Sequence, residues 1–477
     1  MNELRLTLGW VAQAVHGRLR AGDADRAIGE VVTDSRTLVA GDLFVALRGP
    51  RFDGHAFSAQ ALERGAAGVI VEGASVGAAF RRPESGPAEE PAPTAGVIEV
   101  DDTLRALQDL AHAVRVTAGT RVVAITGSAG KTTTKDTIAE YLATRARVVK
   151  NKGNLNNHIG LPLSLMQLRA RPDVAVMELG MNHSGEISTL VAIAAPDVRV
   201  WTNVGDAHLG FFASPDAIAD AKAEILEEAT ADTVLVANAD DPRVMARVRG
   251  FAGRTLTFGL AAHATVRVRE VADLGVDGMR ALVSTPVGER SLGTPLLGRA
   301  NLLNVLAAAT VAINEGVPLD EIVDVSARLQ ASERRGDVRR LRDGTIVIDD
   351  SYNSSPAALR AALAVLASAT PARRVAVVGE MLELGDHSMR LHEACGRAVA
   401  EAGVDLLVAV GGAPAQALAA AALTAGMPTA AVCYVATSDE AAARMVEAVR
   451  PGDLVLVKGS RGTRTDLVVD RLVAERG

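Results

Sequence analysis

Cysteine is nearly missing from this chain of 477 residues: only Cys395 and Cys433 occur, neither in a CxxC pair nor at a metal-ligand spacing. That argues against a disulfide framework and a zinc site, and it fits a reducing cytoplasm. Aromatic residues are scarce at 3%, while Ala, Val, Leu and Gly dominate, a mix suited to helices packed on parallel strands. Charge of one sign never accumulates. The formal charge of -7 is spread along the chain, leaving no footprint for nucleic acid or an anionic membrane. Long apolar runs are absent too: the opening MNELRLTLGWVAQAVHGRLR carries charges through its first residues, and no stretch has signal-peptide or membrane-span character. Small molecules are the expected partners, and a cytoplasmic monomer is the expected state.

What is present is a chain too long for one ordinary core, with a pattern that alternates strands and helices. The first hundred residues read as short elements ending in the loop Ala79 to Pro93, rich in Pro, Glu and Arg. A helix from about Asp102 to Val116 leads to the apolar run Arg121 to Thr126. Further buried strands are predicted at Val174 to Met177, Val198 to Thr202 and Thr233 to Ala237. After a helix beginning near Asn301, strands at Thr345 to Ile348, Val375 to Val378, Leu406 to Val410 and Leu454 to Val457 alternate with Ala-rich helices. The expectation is an α/β protein of three domains, at 1–101, 102–316 and 317–477: a small N-terminal α/β domain, a central P-loop-type parallel sheet domain and a C-terminal Rossmann-like domain.

The strand ending at Thr126 runs into Gly127, Ser128, Ala129, Gly130, Lys131, Thr132 and Thr133. Glycines let such a loop curl its N–H groups toward phosphates, and the following helix start adds positive potential. Lys131 would reach the terminal phosphates, and the Thr132 hydroxyl suits Mg2+. Only two residues separate Gly127 from Gly130, where the general P-loop has four. An ordinary Gly-rich turn is the plainer reading, but Gly-Lys-Thr directly after a buried strand favours a nucleotide.

Three more polar residues stand at or just beyond apolar strands: Glu178, His208 and Lys222. Glu178 offers a hard carboxylate for Mg2+, though a lone carboxylate there also serves as a helix cap or ion-pair partner. His208 could equally be a hydrogen-bonded structural histidine. Lys222 on a helix is by default a solvated surface residue, since an ammonium cannot ligate a metal.

Together the short phosphate loop, Glu178, His208 and Lys222 resemble the Mur ligase family. The likeness extends over essentially the whole chain through Asp34-Ser-Arg36, Gly41 to Phe44, Asp53 to Phe57, Asn151 to Pro162, Met177 to Ile187, Val378 to Gly385 with His392, and Val457 to Gly462. It implies an ATP-dependent amide-bond-forming ligase that adds D-alanyl-D-alanine to UDP-N-acetylmuramoyl-tripeptide through an acyl phosphate, completing a peptidoglycan precursor.

The same resemblance assigns residues. Ser35, Arg36, Asp53 and His55 would hold the UDP-sugar end of the substrate in residues 1–101, and Lys152, Asn154, Asn156 and Asn157 the muramoyl peptide and phosphates. Turn and helix-cap roles are the plainer alternatives. Lys222 matches the family lysine that becomes N-carboxylated, so that a carbamate joins Thr132, Glu178 and His208 around Mg2+. Asn301 and Asn304 fall in the adenine-contacting motif, Asp350 and Tyr352 in the strand end that meets ribose and adenine, and Lys458, Ser460 and Arg461 would face the reacting groups. This chain departs from the family at Ala300, usually His, at Ser355, usually Asn, and at Asp337, usually Arg. Arg335, Arg339 and Arg340 are the neighbouring guanidiniums that could stand in for the last. Rival readings are a ligase of the same superfamily with another amine, such as folylpolyglutamate synthase, and a slow ATP-hydrolysing switch.

Overall fold

The structure is a computed structural model and describes residues 3–50, 52–75, 95–206 and 209–477; the loop expected at Ala79 to Pro93, and His208, lie outside them. The described strands form three sheets. The first holds β1 (Arg18–Ala21), β2 (Val31–Val32), β3 (Leu43–Val45), β4 (Gly68–Glu72) and β5 (Gly96–Val100) in the order β1-β5-β4-β3-β2. The second holds β6 (Arg121–Thr126), β7 (Val148–Lys150), β8 (Val174–Glu178), β9 (Val198–Trp201), β10 (Val234–Asn238), β11 (Arg254–Gly259), β12 (Val266–Asp273), β13 (Met279–Thr285) and β14 (Gly288–Thr294), ordered β14-β13-β12-β11-β10-β9-β6-β8-β7. The third holds β15 (Asp337–Arg340), β16 (Ile346–Asp350), β17 (Arg373–Gly379), β18 (Leu406–Val410), β19 (Val432–Val435) and β20 (Asp453–Lys458), ordered β15-β16-β20-β17-β18-β19.

The chain divides into two compact units, the first comprising 1–124, 146–181 and 185–197. In its five-stranded sheet β1 runs antiparallel to β5 and the other neighbours are parallel. Phe44, Ala46, Val69, Val71 and Val97 pack with Leu38, Ala61 and Ala66 into a core, which stabilises this small sheet by removing apolar surface from water. The helix Thr103–Ala118 starts where the Asp102 carboxylate accepts from Arg105 N–H and stops at Gly119, whose φ of 67° few other residues tolerate. It buries Ala106, Leu107, Leu110, Ala111 and Val114, a single face at helical spacing.

The second unit comprises 125–145, 182–184 and 198–477. Here β9, β10 and β11 pair in parallel, every residue of β9 and β10 is buried, and β12 to β14 continue as antiparallel hairpins. Strands β11 to β14 were not anticipated. The far end of β12 and the start of β14 are exposed, so their sequences lack the apolar alternation that marks a strand. In the third sheet β16, β20, β17, β18 and β19 are parallel and β15 is an antiparallel edge. Its core gathers Val375, Val377, Val408, Val455, Val457 and Leu472. Among the described residues no helix is long and apolar enough to cross a membrane.

Candidate active site

In the second unit the phosphate loop follows the last residues of β6 and is clamped from the side by the segment after β9. Thr202 Oγ donates to Ala129 O at 2.8 Å, Asn203 Oδ1 accepts from Ala129 N at 2.9 Å, and Asn203 O accepts from Ser128 N at 3.1 Å. The Ser128 hydroxyl accepts from Gly205 N at 2.9 Å. Two glycines are required by this packing: a Cβ on Gly127 would lie 1.9 Å from Thr202 Oγ, and one on Gly130 2.1 Å from Asn304 Oδ1. Both also have positive φ, 153° and 83°. Lys131 opens the helix Lys131–Leu142 and donates from Nζ to Gly127 O at 2.9 Å, while Thr132 and Thr133 complete the first turn. A curled loop before a helix N-terminus is an anion cradle.

Lys222 sits on the helix Pro215–Ala223, which Ser214 caps through Ala217 N and Pro215 initiates. The default reading of a helical lysine as solvated does not hold: the residue is 1% exposed. Ile218 and Lys222 are both buried and four residues apart, so helix geometry carries the lysine inward with its apolar neighbour. Burial, and secondarily the positive charge of Lys131, hold the amine well below the ordinary lysine range. Both effects disfavour the protonated form.

Asn304 lies against the phosphate loop and donates to Asn301 Oδ1 at 3.1 Å, and Asn301 donates to Leu297 O at 3.0 Å, so the two predicted adenine-side residues form a chain on the first turns of the helix Gly298–Asn314. Near the third sheet, Lys458 at the end of β20 is 2% exposed and pairs with Asp350 at 2.6 Å while donating to Asn353 O at 3.0 Å. This locks the turn that carries Tyr352. The Arg335 guanidinium lies 4.0 Å from the Tyr352 ring centroid and that of Arg461 5.8 Å. Of the three arginines considered as stand-ins near position 337, Arg339 pairs with Asp337 itself and Arg340 with Asp277 at 2.7 Å, which leaves Arg335 as the one on the tyrosine. Ser460 accepts from Leu382 N at 2.9 Å. Ser355 caps the next helix through Ala358 N, and Ala300 is exposed.

In the first unit Glu178 ends β8 and is 4% exposed. Asn156 donates to its Oε1 at 2.8 Å, and Asn151 brackets its backbone by accepting from Glu178 N at 3.0 Å and donating to Glu178 O. Asn157 accepts from Gly160 N at 2.8 Å and from Ile159 N at 3.2 Å, just before the helix Gly160–Leu165, whereas Lys152 and Asn154 are exposed. Asp34 pairs with Arg36 at 2.7 Å in the open, and hydrogen bonds from Arg36 hold the carboxyl down at about 2. Ser35 is buried, and its carbonyl accepts from Arg64. His55 is buried too, with Nδ1 at 2.6 Å from Asp53 and Nε2 accepting from Glu72 N at 3.1 Å. That second bond fixes the tautomer, so Nδ1 donates to Asp53. At Asp53 burial works upward, but the bonds from His55 outweigh it and the carboxyl is lowered.

Thr202 and Asn203, the clamp on the phosphate loop, were overlooked as site residues although they begin the segment that contains His208. Among the described residues no group of three or more His, Cys, Asp and Glu could hold a metal.

The Mur ligase family catalytic domain matches residues 27–115, the Mur ligase middle domain 125–312, and the Mur ligase glutamate ligase domain 334–461. The chain belongs to the Mur ligase family. This Mur ligase is 34% identical to the UDP-N-acetylmuramoyl-tripeptide--D-alanyl-D-alanine ligase of Bacillus subtilis (strain 168), over 98% of this chain and 99% of that one. Its structure resembles that of MurF from Acinetobacter baumannii with a TM-score of 0.87 and 32% identity, covering 99% and 100% of the two chains. It also resembles MurF from Thermotoga maritima in complex with ADP, with a TM-score of 0.80 and 28% identity over 94% and 97%.

Proposed function

We propose that this Mur ligase joins D-alanyl-D-alanine to UDP-N-acetylmuramoyl-tripeptide at the expense of ATP, giving the UDP-muramoyl-pentapeptide precursor of peptidoglycan. The observation that carries this reading is end-to-end likeness, 34% identity over nearly the full length of both chains, to a ligase of that name. The ADP complex of a structural neighbour supports ATP as the nucleotide. The gap between the matched spans 125–312 and 334–461 supports division of the chain near residue 316, whereas the span 27–115 runs past residue 101. The reading places the enzyme in the cytoplasm as a monomer, with soluble substrates and neither nucleic acid nor membrane as partner.

Amide formation needs an activated carboxyl. The tripeptide carboxylate attacks the γ-phosphorus, the bond to the bridging oxygen breaks and ADP leaves. The neutral amine of D-alanyl-D-alanine then attacks the acyl carbon, phosphate departs, and the amine loses a proton to complete the amide. Residues 127–133 cradle the phosphates, and Lys131 offsets charge that develops on them. Asn301, Asn304, Asp350 and Tyr352 bind the nucleoside in this reading, and Lys458, Ser460 and Arg461 the peptide ends. Ser35, Arg36, Asp53 and His55 take the UDP-sugar, with Lys152, Asn154, Asn156 and Asn157 on the muramoyl peptide.

Mg2+, when bound, would supply further charge neutralisation at the phosphates. The donor chemistry fits an oxygen-loving cation only if Lys222 is modified. Its neutral amine can add carbon dioxide, releasing one proton, and the carbamate oxygens replace a like-charge conflict with Lys131 by an attraction. Thr132 and carboxylated Lys222 would hold the ion, with Glu178 and His208 carried over from their motifs.

Phosphate release with ATP, Mg2+ and both peptide substrates, each omitted in turn and the product weighed, tests the reading. Release that requires both peptides and a product heavier by the dipeptide residue mass supports it. Turnover that ignores the dipeptide would transfer the chain to another ligase or to a switch.

A further inference from the structure

His392 lies on the helix Ser388–Glu401 and is completely buried, far along the chain from the phosphate loop. Its Nδ1 is 2.8 Å from Ser388 O, a bond in which only the ring can donate, so Nε2 is left with its lone pair. That lone pair accepts from Met381 N at 2.9 Å. Burial lowers the imidazole below its ordinary range, which keeps the acceptor neutral.

The residues after Met381 are tied in turn to different parts of the second unit. Leu382 N donates to the Ser460 hydroxyl at 2.9 Å, and Ser460 N returns a bond to Glu380 O at 3.3 Å. Glu383 is held at a φ of 65°, left-handed backbone that a non-glycine residue rarely adopts, and its carbonyl accepts from Gly210 N at 2.9 Å. The approach is tight: a Cβ on Gly210 would stand 2.9 Å from both Glu383 O and Gly385 N. An ion pair of Arg360 with Asp206 at 3.6 Å joins the helix Pro356–Ser368, rather than this loop, to the segment after β9. Three consecutive backbone groups are therefore spent on a buried histidine, on Ser460 and on a residue two positions from His208. Strain of this kind persists only where its surroundings over-determine it.

We infer that His392 is a positioning residue for the ligation: by holding Met381 N it sets the 380–385 loop that orients Ser460 and latches the segment at Gly210. The activity arm of this inference rests on the ligase reading above; the latch itself does not. A buried histidine that merely filled space would be replaceable by any side chain of its size, whereas this one supplies an acceptor. A glutamine oxygen can supply it too.

The test compares His392→Met, His392→Gln and Gly210→Ala in the full chain, by hydrogen exchange of the peptides covering 381–383 and 209–212 and by steady-state ligation. The Met variant is expected to speed exchange in both segments and to lower kcat about tenfold to a hundredfold, with KM for ATP nearly unchanged. Gly210→Ala should reproduce the loss of kcat with His392 intact, and His392→Gln should restore both readouts toward wild type. Unchanged exchange at 209–212 in the Met variant, or a fully active Gly210→Ala enzyme, would overturn the inference. If the Met variant does not fold, Gly210→Ala decides. If the wild-type protein ligates nothing, the functional reading falls, while exchange at 209–212 still judges the latch.

Discussion

Two lysines of this Mur ligase lie equally deep, Lys222 at 1% exposure and Lys458 at 2%, and their surroundings differ in one respect. Lys458 has a carboxylate at 2.6 Å and a carbonyl at 3.0 Å. Lys222 has burial and another cation. A buried charge with a counter-charge holds structure together, and removing one partner strands the other. A buried amine without one is driven to shed its proton, and the proton-free amine can react. Similar burial thus yields a fastener in the third sheet and, on the proposed reading, the lysine to be carboxylated near the phosphate loop.

Removing Lys222 should have the largest catalytic effect. Lys222→Ala is expected to lower kcat by about two to three orders of magnitude, on the scale of losing a charge-stabilising group, with partial rescue by added formate. The stability of the two sites should respond in opposite directions. Lys458→Met strands Asp350 and should cost about 3–5 kcal/mol in urea unfolding, whereas Lys222→Met removes a conflict and should be neutral or stabilising by up to about 2 kcal/mol. The sign has a pH signature. The folded-state amine of Lys222 loses its proton at lower pH than in the unfolded chain, so between the two pKa values the unfolded chain binds the extra proton and wild-type stability rises with pH. In buffer free of carbon dioxide, the advantage of Lys222→Met should therefore shrink as pH approaches 10.5, the ordinary lysine value.

Next in size is Gly127→Ala, which pushes a Cβ into Thr202 Oγ and should lower kcat/KM for ATP by at least about a hundredfold. Gly119→Ala, where a Cβ meets nothing within 4 Å, is the control that places alanine at another positive φ without touching the loop. The smallest effect is expected at Arg335. Loss of its stacking on Tyr352 should raise KM for ATP about twofold to fivefold, while Arg340→Ala, an exposed partner of Asp277, leaves KM as it was.

The phosphate loop was legible in sequence because its chemistry is local: glycines, lysine and threonine in seven consecutive residues. Its clamp was not, since Thr202 and Asn203 meet Ala129 only when β9 lies beside β6. Lys222 defeated the default for a helical lysine, yet its spacing from Ile218 was the available clue. The pairing of Lys458 with Asp350 joins residues 108 positions apart, a match that composition and periodicity do not announce. Strands Val375–Val378 and Leu406–Val410 were readable because both faces are buried; the β12 to β14 hairpins, half in solvent, were not.

The most direct test of the contrast between the two lysines is carbon-13 NMR of the protein equilibrated with labelled bicarbonate. A carbamate carbonyl signal present in the wild type and in Lys458→Met, and missing in Lys222→Ala, is the predicted result. A spectrum that is the same with and without Lys222 would contradict the account.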